Sequence, residues 1–228
     1  MPREQSDPPR GRVHGARSAT VLFTQEEIVL EPATRGQALA AAPLMYDTDP
    51  HLFGYFFGGD QELALRYFAA QWRQERSLFS FRYCTVAVAR RTLLGIELGY
   101  DAKTQADVFQ DTGRHAAQIL TPEQMAHLRA AVSYIPFLVP PVPADAYYVL
   151  HLASAPSVRG RGVGARLLMA AFDRARRNGY RVCQLDVTSD NPAVRFYERM
   201  GMEILSESRV VPLQQHGIAS HYRMIKTL

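Results

Sequence analysis

The sequence predicts a fold of the α+β or α/β class, in which a mixed β-sheet is flanked by helices. Residues 80–89 and 93–100 are strand-like runs joined by a tight connection, which is typical of an antiparallel hairpin. Farther along, strand-like runs at 146–154 and 182–189 enclose a glycine loop and a helical pattern. Such a β-α-β crossover favours two parallel strands in one sheet.

The elements before the hairpin are predicted to be a short strand and two helices. The strand covers 26–34, and 35–46 is rich in residues that favour a helix. Residues 60–75 form a clearer helix with Asp60 as its N-cap. Its large apolar residues fall on one face at helical spacing: Leu63, Tyr67, Phe68 and Trp72. We interpret this stripe as core, with a ligand-facing role as the alternative.

The segment 101–146 is predicted to be a helical insert that ends in an extended linker. Within it, Thr121 is an N-cap, Pro122 takes the first helical position and Gln124 completes a capping box. The following PFLVPPVP sequence, 136–143, is rich in proline and is expected to run extended.

Two helices and a final strand are predicted after the glycine loop. GARLLMAAFDRARRNGY is a helix that ends at Gly179. Its apolar face is Leu167, Leu168, Ala171, Phe172 and Ala175. NPAVRFYERMGM is a short helix that opens at Asn191-Pro192 and closes at Gly201, and SHYRMIKTL is a strand.

The composition fits one globular domain behind a polar leader. The chain has 228 residues, 47% hydrophobic, with a formal net charge of +4. Residues 1–20 hold basic residues, prolines and glycines but few large apolar side chains. We expect this leader to be disordered, with a phosphate-binding arm as the alternative. We expect 21–228 to be a single domain.

Several classes of protein are excluded by what the sequence lacks. The net charge is too low for a dedicated nucleic-acid binder, and no apolar run is long enough to be a signal peptide or a membrane span. Cys84 and Cys183 lie in strand-like runs, where buried, reduced thiols are expected, as in the cytoplasm. No metal-binding spacing of histidine and cysteine occurs. We therefore expect a cytoplasmic protein without a metal, a membrane or a nucleic-acid partner.

The segment SVRGRGVGARLL, 157–168, is the main candidate for a binding site. It does not match a P-loop, because no Lys-Ser/Thr pair follows the glycines. Gly160, Gly162 and Ala165 fit a dinucleotide-binding G-x-G-x-x-A pattern, but Pro156 and Arg159 separate these glycines from the strand.

Another interpretation is a backbone cradle for a diphosphate. Small residues let the loop approach the phosphates closely, and the N–H groups of the next helix point at them. A merely flexible basic turn is the remaining alternative.

LASAPSVRGRGVGARLL resembles the acyl-CoA-binding segment of the GNAT superfamily of N-acyltransferases. VCQLDVTSDNPAVRFYERMGM is similar to that family's next segment, in which a strand is followed by Asn, Ala, a Phe-Tyr pair and Gly. IVLEPAT resembles its opening strand. The specific resemblance covers residues 146–203, and the spacing from Arg159 to Asn191 also agrees with the family.

The resemblance implies a sheet splayed at its centre, between the strands at 147–154 and 182–188, with acyl-CoA in the splay. Pyrophosphate would lie on residues 161–165, and pantetheine would pair with the backbone near 152–154. The cofactor-binding residues implied are Leu152, Ala153, Ser154, Arg159, Gly160, Arg161, Gly162, Val163, Gly164, Ala165, Asn191 and Tyr197.

The family's chemistry is the attack of an amine on a thioester, which needs an oxyanion donor, a base and an acid. The resemblance implies that Tyr197 protonates the leaving sulfur and that the backbone N–H near Ser154 stabilises the oxyanion. The strand at 146–154 lacks the carboxylate that the family often places there. His151 is the candidate base, with Glu97 and water as rivals. By strand alternation, His151 should share a face with Val149 and Ala153.

The function implied is an N-acetyltransferase that moves an acetyl group from acetyl-CoA to a primary amine in a ternary complex. A catalytically silent acyl-CoA-binding domain is the alternative. The acceptor is expected to be a small molecule or a peptide, and a homodimer is compatible with the sequence.

Overall fold

A computed structural model describes residue 24 and residues 27–228. The expected disordered leader, residues 1–20, lies outside the described residues. Elements are numbered below in chain order.

Seven strands of the described chain form one sheet, in the spatial order β1-β2-β3-β4-β5-β7-β6. Their bounds are β1 Val29–Pro32, β2 Cys84–Ala89, β3 Thr92–Asp101, β4 Ala146–Ser154, β5 Val182–Thr188, β6 Glu203–Ser208 and β7 His221–Thr227. The predicted hairpin is β2–β3, and it is antiparallel. The predicted crossover joins β4 to β5, and these two strands are parallel.

Nine α-helices of the described chain surround this sheet. They are α1 Ala38–Tyr46, α2 Pro50–Phe56, α3 Gln61–Trp72, α4 Ala102–Ile119, α5 Pro122–Val132, α6 Ile135–Leu138, α7 Val163–Arg177, α8 Ala193–Arg199 and α9 Val211–Gln214. Asp60 accepts a hydrogen bond from the Leu63 N–H and caps α3, as predicted. The predicted capping box of Thr121 and Gln124 begins α5.

The parallel pair β4–β5 is joined along only part of its length. Pairing runs from Ala146 with Val182 to Val149 with Leu185, and it stops there. β4 continues to Ser154 and β5 to Thr188. The sheet is therefore open beyond this point, which confirms the predicted mixed sheet splayed at its centre. A doubly wound dinucleotide fold needs several parallel neighbours, and every other strand pair described here is antiparallel.

A buried polar network lies where the two strands part. The Asp186 carboxylate accepts hydrogen bonds from Arg223 Nε at 2.9 Å and from the Tyr148 hydroxyl at 2.8 Å. Arg223 Nη2 also donates to the Pro140 carbonyl at 2.5 Å. The two ionised side chains are 3% and 4% exposed, so each depends on the other for compensation of its charge. This network ties β4, β5 and β7 to the linker that enters β4.

The two faces of the sheet carry different helices. α7 and α8 cover one face, where Val149 and Leu185 of the sheet pack against Phe172 and Tyr197. The apolar residues predicted for α7 are all buried. α1, α2 and α3 cover the other face with a large aromatic core. Trp72 is fully buried there, and its indole N–H donates to the Thr34 carbonyl at 2.9 Å.

The prediction that His151 shares a face with Val149 is wrong. In the β3–β4 pair, Leu98 is opposite His151 and the next residue, Gly99, is opposite Val149. Leu150 is therefore an extra residue, and such a β-bulge shifts the alternation of side chains by one position. Val149 packs in the core under α7. The His151 ring instead lies among phenylalanines of the opposite core.

Other elements differ from the expectations or were not predicted. The linker expected to be extended begins as α6, and it runs without regular structure only after Leu138. α2, α9 and β6 were not predicted, whereas α4 lies in the insert that was predicted to be helical. β6 is an edge strand whose residues are exposed on both faces except Ser208, so it carries no alternation of apolar and polar residues that would reveal it.

Gly99 is predicted to be required for the bulge. A Cβ at this position would lie 2.6 Å from the Tyr147 hydroxyl and 2.6 Å from the Tyr148 carbonyl oxygen. Gly99→Ala is expected to lower the free energy of unfolding by about 1–3 kcal/mol, as overpacking does, measured by urea denaturation. The control is Gly113→Ala in α4, where a Cβ meets nothing within 4 Å. It is expected to raise stability by about 0.5–1 kcal/mol. Equal effects of the two substitutions would contradict the prediction.

Candidate active site

The glycine loop leads directly from β4 into α7. A single turn at Pro156–Val158 follows the strand, and two glycines with left-handed backbone come next. Gly160 has φ 75° and Gly162 has φ 78°, a region that only glycine enters without strain. Gly162 is the N-cap residue of α7 and has no side chain to offer the first-turn N–H groups. These donors and the dipole of a 15-residue helix are available to an anion.

The structure brings three of the predicted motifs together at Gly164. A Cβ at this position would lie 3.5 Å from Ser154 Oγ and 3.7 Å from Phe196 Cζ. The end of β4, the first turn of α7 and the Phe-Tyr pair of α8 therefore meet at one place. Arg159 lies beside them, and its Nε donates to the Ser154 carbonyl at 3.4 Å.

The remaining cofactor residues of the prediction lie along the same path. Leu152, Ala153 and Ser154 are half-buried on the part of β4 that has no β5 partner. Val163 is buried, while Arg161 and Ala165 are half-buried. Small side chains and a free strand edge are what a ligand lying against backbone requires.

Asn191 orders the loop between β5 and α8. Its side-chain oxygen accepts a hydrogen bond from the Ala193 N–H at 2.8 Å. Its own N–H donates to the Thr188 carbonyl at 3.0 Å. These two hydrogen bonds hold the backbone where α8 begins.

Tyr197 of α8 is buried in the core that α7 and α8 share with the sheet. Burial raises the pKa of its phenol well above the usual range. The hydroxyl therefore holds its proton at neutral pH and has it available to donate.

His151 is 1% exposed and surrounded by aromatic rings. Its ring centroid lies 5.8 Å from that of Phe53, 6.1 Å from that of Phe68 and 5.8 Å from that of Phe79. Burial lowers the pKa of the imidazole from 6.5 to about 3. A group with this pKa is a weak base for an ammonium ion, so the environment of His151 disfavours the role of general base.

Glu97, the rival base, is held in an ion pair on the α7 face of the sheet. Its carboxylate accepts from Arg174 Nη2 at 2.5 Å and from the Tyr147 hydroxyl at 2.9 Å. The residue is fully buried, and desolvation raises the pKa of the carboxyl while Arg174 opposes the shift. This carboxylate is engaged in fastening α7 to the sheet, and sequence spacing alone could not show that.

The part of the chain that holds this site is similar to a known protein family. Residues 99–202 match the model of the Acetyltransferase (GNAT) family, and this range contains the open strand pair, the glycine loop and Tyr197. This part of the chain is therefore similar to the GNAT acyltransferases. The GNAT family uses acetyl-CoA, which agrees with an anion-binding helix terminus beside an open sheet.

Solved structures with this fold include several acetyltransferases. An N-acetyltransferase from Staphylococcus aureus Mu50 superimposes with a TM-score of 0.67 at 15% identity, over 87% of this chain and 100% of that chain. A GCN5-related N-acetyltransferase from Kribbella flavida gives a TM-score of 0.54 at 18% identity, over 90% and 100%. At these identities the likeness concerns the fold. No curated protein matches the sequence.

Among the described residues, no group of three or more histidine, cysteine, aspartate or glutamate side chains could hold a metal ion. No helix in that part of the chain is long and apolar enough to span a membrane.

His151 is predicted to make the folded protein sensitive to acid. Its pKa is lower in the folded state than in the unfolded state, so the unfolded chain binds the extra proton between about pH 6.5 and 3. The stability that neutral His151 provides is complete above pH 6.5 and is lost as the pH falls through this window.

Urea unfolding of the wild type and of His151→Asn, which cannot titrate, tests this prediction at pH 7, 6, 5 and 4. The stability of the wild type relative to the variant is expected to fall by about 1.4 kcal/mol per pH unit below pH 6. Parallel pH dependences of the two proteins would show that His151 is not held neutral.

Proposed function

We propose that this protein transfers an acetyl group from acetyl-CoA to a primary amine of a small molecule or a peptide, within a ternary complex. The observation that carries the proposal is the sheet opening beyond Val149 and Leu185, which leads into the N-terminus of α7. We propose further that residues 21–228 act as one domain.

The proposed cofactor position follows from the donors that the fold leaves available. Pyrophosphate would lie on residues 161–165, against the N–H groups of the first turn of α7, where Gly162 lets the backbone approach closely. Pantetheine would run along residues 152–154, because an unpaired strand edge offers backbone donors and acceptors to an extended ligand. Asn191, in the loop before α8, and Tyr197 of α8 would border the same cofactor.

The chemical step needs few side chains. The neutral amine attacks the thioester carbonyl, and a backbone N–H near Ser154 stabilises the oxyanion. The C–N bond forms, the C–S bond breaks, and the Tyr197 hydroxyl protonates the leaving sulfur. The proton released by the nitrogen passes to water, and the phenolate regains its proton from solvent. Water is the proton acceptor in this proposal because His151 is a weak base and Glu97 is paired with Arg174.

Binding of the cofactor is the first test. Isothermal titration calorimetry is expected to show that acetyl-CoA binds and that NAD does not compete. Gly162→Val is expected to raise the Kd of acetyl-CoA about tenfold or more, because a side chain at φ 78° strains the loop and blocks the phosphates. The melting temperature of the variant shows whether it is folded. Unchanged affinity in a folded Gly162→Val protein would place the cofactor elsewhere.

The role of Tyr197 is the second test. A panel of primary amines is assayed with acetyl-CoA by detection of free thiol, which also tests the alternative of a silent binding domain. For an amine that is acetylated, Tyr197→Phe is expected to lower kcat about tenfold to a hundredfold, at the low end for general acids.

Phenylalanine keeps the packing of the ring, so the Kd of acetyl-CoA and the melting temperature should stay unchanged. A wild-type kcat in this variant, when chemistry limits the rate, would assign the protonation of sulfur to another group. Weaker cofactor binding would indicate a positioning role instead.

A further inference from the structure

The three residues between α1 and α2 contact three different elements around the open sheet. Asp47 forms an ion pair with Arg159 of the glycine loop, with 3.3 Å between Oδ2 and Nη2. The Thr48 hydroxyl lies 2.9 Å from His151 Nδ1 on β4. Asp49 Oδ2 lies 3.1 Å from His221 Nε2 on β7. We call residues 47–49 the connector.

The connector crosses the opening between the strands. His151 is two residues beyond Val149, the last β4 residue that pairs with β5. His221 pairs with Thr188, which is three residues beyond Leu185, the last paired residue of β5. The two histidines therefore lie on opposite sides of the opening at similar depth. Consecutive residues of the connector hold both, on the face covered by α1 and α2.

The contact at the centre of the connector has a defined proton arrangement. The Thr48 hydroxyl donates its one proton to the Met45 carbonyl at 2.7 Å, so it must accept from His151 Nδ1–H. His151 Nε2 is then unprotonated, and it has no partner in the described part of the chain. The contact between Thr48 and His151 is buried and uncharged, so an incoming anion does not compete with it.

Of the three contacts of the connector, the ion pair of Asp47 and Arg159 is the one that can break. The side chains are 59% exposed at Arg159 and 37% exposed at Asp47, and exposed pairs contribute little to stability. His221 and Asp49, in contrast, are 5% and 13% exposed. Arg159 is also the arginine that introduces the glycine loop, next to the donors proposed for pyrophosphate.

We propose that Asp47 is a positioning residue that competes with the cofactor's pyrophosphate for Arg159. This proposal rests on the proposed function. Without cofactor, Arg159 ties the glycine loop to the connector. When the diphosphate binds, the guanidinium transfers to it, since a diphosphate carries two negative charges and is the stronger partner. The connector is then held by Thr48 and Asp49 alone, and the Asp47 carboxylate is left without its cation beside the opening.

A double-mutant cycle on the binding of CoA tests the proposal. Asp47→Asn is expected to lower the Kd of CoA about two- to fivefold, because the competing carboxylate is gone. Arg159→Gln is expected to raise the Kd. In the Arg159→Gln background, Asp47→Asn should have no further effect. Dephospho-CoA, which keeps the pyrophosphate, should show the same gain with Asp47→Asn.

The control is Asp173→Asn, which removes the same charge from another ion pair, with Arg176 on α7. It should leave the Kd of CoA unchanged. Tighter binding after the loss of a native contact is not what a purely structural role of Asp47 would give.

The proposal is overturned if Asp47→Asn leaves the Kd of CoA unchanged or raises it. It is also overturned if the gain persists without Arg159 or appears equally in Asp173→Asn, since either result would indicate a general effect of charge. A wild-type protein that does not bind CoA would refute the proposed function, which is a different outcome from a wild type that binds CoA without the Asp47 effect.

Discussion

The parting of β4 and β5 after Val149 and Leu185 is the constraint on which the rest of the structure depends. Parallel neighbours normally satisfy each other's backbone groups along their full length. Here each strand continues for several residues without the other, so donors and acceptors remain available in the middle of the sheet. An extended ligand can occupy this place, and the glycine loop lies at its end. The bulge at Leu150 occurs at the same level and turns His151 toward the opposite face.

Buried charges keep the opening fixed from both sides. On the α7 face, Glu97, Tyr147 and Arg174 tie β3, β4 and the glycine-loop helix together. On the other face, Asp186 and Arg223 join β5, β7 and the linker. Buried ion pairs are weak sources of net stability, but the loss of one partner is strongly destabilising because it strands the other charge. We attribute to these networks the positioning of strands that no longer pair.

The proposed chemistry relies on backbone groups and on one phenol. Neither titratable group that the sequence offers as a base is suited to that role. Burial lowers the pKa of His151, and the Glu97 carboxylate is held in an ion pair with Arg174. A thiolate is a fair leaving group, and an amine that arrives neutral needs no strong base. The protein then needs to hold the thioester and to stabilise the oxyanion.

The sequence by itself determined the elements with local signals. These were the caps at Asp60 and Thr121, the β-α-β crossover, the apolar face of α7 and the glycines of the loop before it. The resemblance of two ordered motifs to the GNAT family sufficed to predict the splayed sheet. Local patterns follow from backbone sterics and helix geometry, which a short stretch of chain contains.

Only the tertiary structure decided on which face of the sheet a side chain lies and what surrounds it. The bulge at Leu150, opposite Leu98 and Gly99, changed the face of His151, and burial among three phenylalanines lowered its pKa. The pairing of Asp47 with Arg159 joins residues 112 positions apart. Burial, charge compensation and strand register depend on residues that are distant in the chain, so a reading of neighbours along the sequence could not supply them.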